Sequence, residues 1–231
     1  MSENPLALIV PAAGIGSRLG KDVPKPFIKI NGNTILRHTL EKFVELDPLV
    51  QVIIPVSEKY KSIAEKILSD LFPHLNTRTV KGGKERQDSI RNAINALQGD
   101  VKYVAVHDAV RPFIKADIVL NCYHQACKSG GAITAIRAKD TIKQSNSRGL
   151  VENTPDRSRL WHAQTPQIFE AGLFQRAYRT AKDQNYSGTD DSSLIENIGG
   201  DVVLVEGSYK NFKITYPSDL EFATLLIEKQ L

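Results

Sequence analysis

Apolar residues in this chain fall into short uninterrupted runs that alternate with stretches of helical periodicity. The runs Leu6–Val10, Val50–Val56, Tyr103–His107 and Ala132–Ile136 contain no Lys, Arg, Asp or Glu. That is the pattern of strands buried on both faces. Thr77–Val80, Phe27–Ile30 before a turn at Asn31-Gly32, Val202–Val205 and Phe212–Ile214 read as further strands. Helical stripes lie between them. One carries Leu36, Leu40 and Phe43 behind an N-cap at Asn33. Another runs from Lys59 to Leu71 with Ile63, Ile67 and Leu71 in line. A third carries Ile90, Ala93, Ile94 and Leu97. Ala116–Cys127 and Ala171–Ala181 are also helical. Thr189-Asp190-Asp191 opens a short helix through Ile195, and Ser218-Asp219-Leu220-Glu221 caps a last one with Leu220, Ala223 and Ile227 on its face. The alternation predicts a mostly parallel, three-layer α/β sheet in a single domain, 1–231.

The pattern lapses over 138–164, which has no helical stripe and only two strand-like pieces, Thr141–Gln144 and Leu150–Asn153, around Asn146-Ser147-Arg148-Gly149. A long excursion without its own core needs something to pack on. The simplest candidate is a second copy of the chain, so this stretch is expected to be a protruding dimerisation arm.

Composition adds limits. The 231 residues are 41% hydrophobic and 24% charged, ordinary for a globular chain with a sizeable core. The net charge of +4 is scattered, with no run of five Lys/Arg, which suits a small anionic substrate and does not argue for nucleic acid. Cys122 and Cys127 lie within a helical pattern and read as thiols of a reducing compartment. The polar start and the lack of any apolar run near membrane-spanning length lead us to expect a cytoplasmic protein with no membrane partner.

Candidate chemistry begins just after the first strand, at Pro11-Ala12-Ala13-Gly14-Ile15-Gly16-Ser17-Arg18, followed by Pro24-Lys25. Gly14 and Gly16 permit a tight loop whose N–H groups form an anion nest. Arg18 and Lys25 add charge, so the stretch reads as a polyphosphate seat. It is neither a dinucleotide fingerprint, because Leu19 stands where a third glycine belongs, nor a Walker A loop. Gly82-Gly83-Lys84, Asp108–Arg111 and Thr189-Asp190 fall at the same sheet edge, where open α/β sheets bind ligands. Asp108 either ligates Mg²⁺ carried by a polyphosphate or caps a turn. His107 reads as strand packing, and Ser89 taken alone as surface filler. Arg157 and Arg159 are either solvated or a phosphate clamp. Lys213, between Phe212 and Ile214, either meets an anion or faces solvent.

In this order the motifs resemble the 2-C-methyl-D-erythritol 4-phosphate cytidylyltransferase family. They are Pro11-Ala-Ala-Gly-x-Gly-x-Arg18, Pro24-Lys25, Gly82-Gly83-x-Glu85-Arg86-x-Asp88-Ser89, His107-Asp108-Ala109-x-Arg111-Pro112, Asp140-Thr141-x-Lys143, Trp161-x-x-Gln164-Thr165-Pro166-Gln167, Thr189-Asp190-Asp191 and Lys213-Ile214-Thr215. The resemblance implies a Rossmann-like nucleotidyltransferase sheet, a homodimer with interlocked arms, and transfer of CMP from CTP to the methylerythritol phosphate with Mg²⁺ as cofactor, in the non-mevalonate route to isoprenoid precursors. It implies that Pro11, Ala12, Ala13, Gly14, Gly16, Gly82, Lys84, Ser89 and Ala109 hold the nucleotide. Arg18, Lys25, Asp108 and Lys213 would be catalytic, with Asp108 on the metal. Thr189 and Lys213, with Arg111, Thr141, Arg157 and Thr165 of the partner subunit, would hold the acceptor.

Two positions depart from the family pattern. Pro26 stands where Gln is usual, which is expected to push Lys25 out of helical geometry. Val110 stands where Ala is common. Other readings share these residues: a cytidylyltransferase for another polyol phosphate such as ribitol 5-phosphate, or a non-catalytic nucleotide-binding module on the same fold. An NAD-dependent oxidoreductase is disfavoured by the incomplete glycine pattern.

Overall fold

In a computed structural model, which describes residues 3–14 and 23–229, the uncharged runs form the middle of one sheet. β1 (Leu6–Ile9) is buried at every position. A short β2 (Lys29–Ile30) and β3 (Asn33–Thr34) make a separate hairpin, turned by Asn31 and Gly32 at φ 48° and 81°. Then come α1 (Ile35–Leu40), β4 (Leu49–Val56), α2 (Lys61–Leu71), β5 (Asn76–Lys81), α3 (Arg86–Ile94), β6 (Tyr103–Val106), α4 (Ala116–Ser129) and β7 (Gly131–Arg137). A small hairpin of β8 (Gln144–Ser145) and β9 (Val151–Asn153) follows. The chain ends with β10 (Trp161–Glu170), α5 (Ala171–Asp183), α6 (Asp191–Asn197), β11 (Val203–Glu206) and α7 (Pro217–Glu228).

The main sheet has seven strands in the order β11-β7-β10-β6-β1-β4-β5. Neighbours are parallel except at β10, which runs antiparallel to both β6 and β7. Strand alternation sends Leu6, Leu8, Val52 and Ile54 to one face, where they meet α1, α2 and α4. Ile9, Ile53, Val104 and Val106 point to the other face, against α3, α5 and α6. Each such fully buried side chain contributes about 1.5–3 kcal/mol. α7 covers a smaller cluster of Ile28, Ile35, Val110 and Ile214. Both thiols are free, Cys122 buried and Cys127 half-buried, and burial raises both above the ordinary thiol range.

Several local expectations are corrected. The cap of α1 is Thr34, not Asn33: the Thr34 hydroxyl accepts from Arg37 N at 3.1 Å, while Asn33 is spent in the hairpin. α2 buries Ala64, Ile67 and Leu68, and Ile63 is 41% exposed, because the helix is rotated from the stripe read in the sequence. Phe212–Ile214 is not a strand. It makes one ladder-like bond, Ile214 N to Val110 O at 3.0 Å, and otherwise runs free of the sheet. Tyr216 rather than Ser218 is the N-cap of α7, paired with Asp219. Lys25 is not pushed out of helical geometry. It opens a single 3-10 turn, Lys25–Phe27, where Pro26 sits in the first turn and no N–H is missed.

The extended stretch also ends earlier than expected. β10 begins at Trp161 and pairs with Arg137 in the main sheet. Between them the β8–β9 hairpin stands apart, with Leu150 and Val151 57% and 61% exposed.

Candidate active site

The carboxyl ends of β1, β5 and β6 open into one cleft of about 650 Å³. Pro11, Ala13 and Gly14 form one wall, Gly83 to Arg86 and Ser89 another, and Asp108 to Val110 a third. Lys25, Pro26, Lys213 and Ile214 close it. The parallel strands bring these loops together because their ends are in register, as expected of such sheets.

The first wall is an extension of β1. Val10 N and Ala12 N donate to Ile53 O and Pro55 O at 3.0 and 2.8 Å. Gly14 is outside the left-handed region, and a Cβ there would meet nothing within 4 Å among the described residues. Gly82 and Gly83 are both glycines the site cannot replace: a Cβ on Gly82 would lie 2.1 Å from Ala13 Cβ, so its absence lets the two walls touch, and one on Gly83 would lie 2.2 Å from Asp88 Cβ. Ser89 is buried rather than surface filler. Its Oγ accepts from Gly83 N at 2.9 Å and donates to Glu85 O at 3.1 Å, tying the loop to the first turn of α3.

Charge is concentrated around Asp108. Arg111 Nε and Lys213 Nζ each lie 3.1 Å from its Oδ2, and Arg86 Nε lies 3.5 Å from its Oδ1. Burial alone would raise this carboxyl, but the Arg86, Lys213 and Arg111 charges outweigh it and hold it well below the usual carboxylate range. Arg86 is itself anchored from behind. Its Nη2 lies 2.8 Å from Asp191 Oδ2, and the buried Tyr178 hydroxyl donates to Asp191 Oδ1. Burial works against the Arg86 charge, and Asp191 and Asp108 more than restore it. Burial and then Asp191 raise the Tyr178 phenol, which therefore stays a donor. Lys25 is buried too and donates to Thr215 O at 2.6 Å.

His107 packs edge-on against Phe43, as strand packing predicts. Its Nε2 meets Arg111 O at 3.1 Å and its Nδ1 meets Thr165 Oγ1 at 3.2 Å. Burial lowers it to about 4, so it is neutral at pH 7. Thr165 comes from β10, whose register with β7 breaks between Ala163 and Gln167. Such an irregularity re-aims side chains, here toward the β6 end.

Of the residues singled out in the sequence, Gly16 and Arg18 lie outside the described residues. Pro11, Ala13, Gly14, Lys25, Lys84, Ser89, Asp108, Ala109 and Lys213 line the cleft. Ala12 and Gly82 lie directly behind it. Arg111 and Thr165 both lie beside Asp108 of their own chain. Arg111 donates to Asp108 and, at 2.8 Å, to Asn211 O, while Thr165 is buried with its hydroxyl engaged in its own chain. Thr141 and Arg157 are exposed and outside this cleft, and Arg157 donates to Lys139 O at 2.7 Å. Thr189 is exposed, next to the cap residue Asp190.

Sequence reasoning placed no role on Tyr178 or Asn211, and it placed Arg86 and Asp191 only as members of their motifs, without the ion pair that joins them. Arg86 carried a signal, since it directly follows Glu85 at the end of β5, on the ligand edge.

Among the described residues no group of three or more His, Cys, Asp or Glu could hold a metal ion. Asp108 is a single carboxylate, and among the described residues the ion-pair partner of its Oδ1 is Arg86, at 3.5 Å. That donor set fits Mg²⁺ arriving with phosphate oxygens, not a resident ion in a protein cage.

Comparison with known proteins agrees with this geometry. Residues 6–229 match the family model described as 2-C-methyl-D-erythritol 4-phosphate cytidylyltransferase. The enzyme of that name from Solibacter usitatus is 39% identical, covering 97% of this chain and 96% of its own. The one from Symbiobacterium thermophilum is 40% identical, covering 98% and 94%. A crystal structure of 4-diphosphocytidyl-2C-methyl-D-erythritol synthase from Anaerococcus prevotii superposes with a TM-score of 0.87 at 30% identity, covering 97% and 96%. With residues 6–229 matched and the cleft in place, the chain belongs to the 2-C-methyl-D-erythritol 4-phosphate cytidylyltransferase family.

Proposed function

We propose that this chain transfers the CMP group of CTP to 2-C-methyl-D-erythritol 4-phosphate, giving 4-diphosphocytidyl-2-C-methyl-D-erythritol and pyrophosphate. The observation that carries it is the convergence of Lys25, Lys84, Arg86 and Lys213 with Asp108 in one cleft, beside the closely packed Ala13 and Gly82. A phosphate oxygen of the acceptor attacks the α-phosphorus. A P–O bond forms there, and the bond to the β-phosphate bridging oxygen breaks. The attacking oxygen is already anionic, so the site needs alignment and charge neutralisation rather than a strong base. The neutral, enclosed His107 is consistent with that.

In this reading Pro11 to Gly14, Gly16, Gly82 to Ser89 and Ala109 hold the nucleotide. Lys25 and Arg18 stabilise charge on the α-phosphoryl group, and Lys213 and Thr189 hold the acceptor. Mg²⁺ bound by Asp108 and the triphosphate would neutralise phosphate charge. The 138–164 stretch serves as a dimer arm, bringing Thr141 and Arg157 to a neighbouring site. The exposed Leu150 and Val151 on a hairpin without its own core support this. No helix among the described residues is long and apolar enough to cross a membrane.

Pyrophosphate release from CTP and Mg²⁺, measured with a panel of polyol phosphates, tests the reaction. Methylerythritol phosphate should be turned over fastest. A preference for ribitol 5-phosphate would move the acceptor, and no release with any of them would leave only nucleotide binding. Sedimentation at micromolar concentration tests the arm: a monomer would remove its assigned role.

A further inference from the structure

We propose that Gln87 is a positioning residue for the acceptor: its side-chain amide clamps the segment that carries Thr189 to the nucleotide-binding helix α3. The inference deepens the cytidylyltransferase reading and rests on it for the role of Thr189.

The segment 184–190, between α5 and α6, pairs with no strand among the described residues. Asn185 takes a left-handed φ of 51°, and Tyr186 N donates back to Ala181 O at 2.8 Å, so the chain turns sharply off the end of α5. Gly188 then packs down on α6, where a Cβ would lie 2.3 Å from Ser193 Oγ and 2.7 Å from Leu194 Cδ2. At the far end Asp190 caps α6, accepting from Ser193 N at 3.0 Å. Gln167 of β10 holds that cap: its Nε2 donates to Asp190 Oδ2 at 2.8 Å, and its Oε1 accepts from Ser192 N at 3.0 Å.

Gln87 supplies the partner that a neighbouring strand would. Its Nε2 donates to Tyr186 O at 3.0 Å, and its Oε1 accepts from Gly188 N at 3.1 Å. A primary amide carries a donor and an acceptor side by side, so it can meet a carbonyl and the N–H two residues further on, as a residue of a parallel strand does. Gln87 lies in the first turn of α3, beside Arg86, which lines the cleft and reaches Asp191 Oδ2 at 2.8 Å. One helical turn therefore grips the segment on both sides of the exposed Thr189, with Gln87 before it and Arg86 after it. The backbone of Thr189 is ordered before an acceptor arrives, which lowers the cost of binding one.

Gln87→Leu keeps the length of the side chain and removes both bonds. The acceptor KM should rise about tenfold, the scale of one lost hydrogen bond, with kcat and the CTP dissociation constant within threefold of wild type. Gln87→Glu keeps the acceptor, deletes the donor and sets a carboxylate against Tyr186 O, so the acceptor KM should rise at least about threefold. An unchanged acceptor KM in both variants, or a loss confined to CTP binding, would overturn the proposal.

Thr189→Val separates positioning from general loosening. If Gln87 acts through Thr189, the double variant should show an acceptor KM within about twofold of Thr189→Val alone. Effects that multiply would place the action of Gln87 elsewhere, and a Thr189→Val enzyme with wild-type KM would remove its target; either result would overturn the proposal.

Amide hydrogen exchange gives a readout independent of turnover. The Gly188 amide should exchange at least about fivefold faster in Gln87→Leu, and unchanged exchange would overturn the clamp. A wild-type protein inactive on methylerythritol phosphate would refute the functional reading instead, and the exchange result would still decide whether Gln87 holds the segment. Should Gln87→Leu not fold, Gln87→Ala takes its place in each assay with the same outcomes.

Discussion

Lys25 and Thr215 lie 190 positions apart and are joined by a 2.6 Å hydrogen bond from the Lys25 ammonium to the Thr215 carbonyl. The bond sets a buried cation at the mouth of the cleft, held by the segment that also carries Lys213. Lys25→Ala should lower kcat by two to three powers of ten, the scale of about 3–4 kcal/mol of lost transition-state electrostatics. Steady-state kinetics check this, and a variant within threefold of wild type takes Lys25 out of the mechanism.

The Tyr178–Asp191–Arg86 relay gives a stability prediction. Tyr178→Phe keeps the packing of the ring against Phe174 and removes the donor to a buried carboxylate. It should destabilise the fold by about 1–3 kcal/mol. Urea unfolding reads this as a lower midpoint at unchanged slope.

His107 makes folding stability pH-dependent. Its folded value of about 4 is below the ordinary 6.5, so the unfolded chain takes up this proton first as pH falls. The stabilisation is complete above about pH 6.5 and is lost progressively down to pH 4, roughly 3 kcal/mol in all. Asp108, held low, adds a further loss at still lower pH, with the same sign. Denaturant titrations between pH 7 and 4 should show that decline, and His107→Asn should flatten its upper part. An unchanged slope in the variant would move the titration to other groups.

Gly82→Ala places a methyl group where Ala13 Cβ already stands, 2.1 Å away. The two walls must separate, at a scale of about 1–3 kcal/mol. The expected result is a CTP dissociation constant raised about tenfold or more with the circular dichroism spectrum unchanged. Calorimetric titration with CTP measures it.

Much of this was legible in the sequence. β1, β4, β6 and β7 could be read because strands buried on both faces announce themselves as uncharged runs. β10 could not: it contains Pro166 and mixes exposed His162 and Ala163 with buried Ile168 and Phe169, and its identity as a strand comes from partners it meets only on folding. Phe212–Ile214 erred the other way, with a strand-like composition but no neighbouring strand to pair with. In the cleft, Lys25, Asp108 and Lys213 stood out because cations and a carboxylate gathered at loop positions. Asp191 did not, since a carboxylate in the first turn of a helix reads as a solvated cap. Its partner Arg86 is 105 positions earlier. Ser89 misled for a similar reason, because a lone hydroxyl on a helix gives no sign that a glycine loop folds onto it.

The placement of β10 also governs the order in which the chain can be completed during synthesis. β6 is finished at Val106, yet the strand that covers its free edge runs from Trp161 to Glu170. Until that strand leaves the ribosome, a nascent chain carries an unpaired and fully apolar edge, Val104-Ala105-Val106, of the kind that recruits other chains. The β8–β9 hairpin lengthens this interval. Chaperone demand for this protein should therefore peak while the stretch after α4 is being made, and end once the antiparallel strand slides into the middle of the sheet.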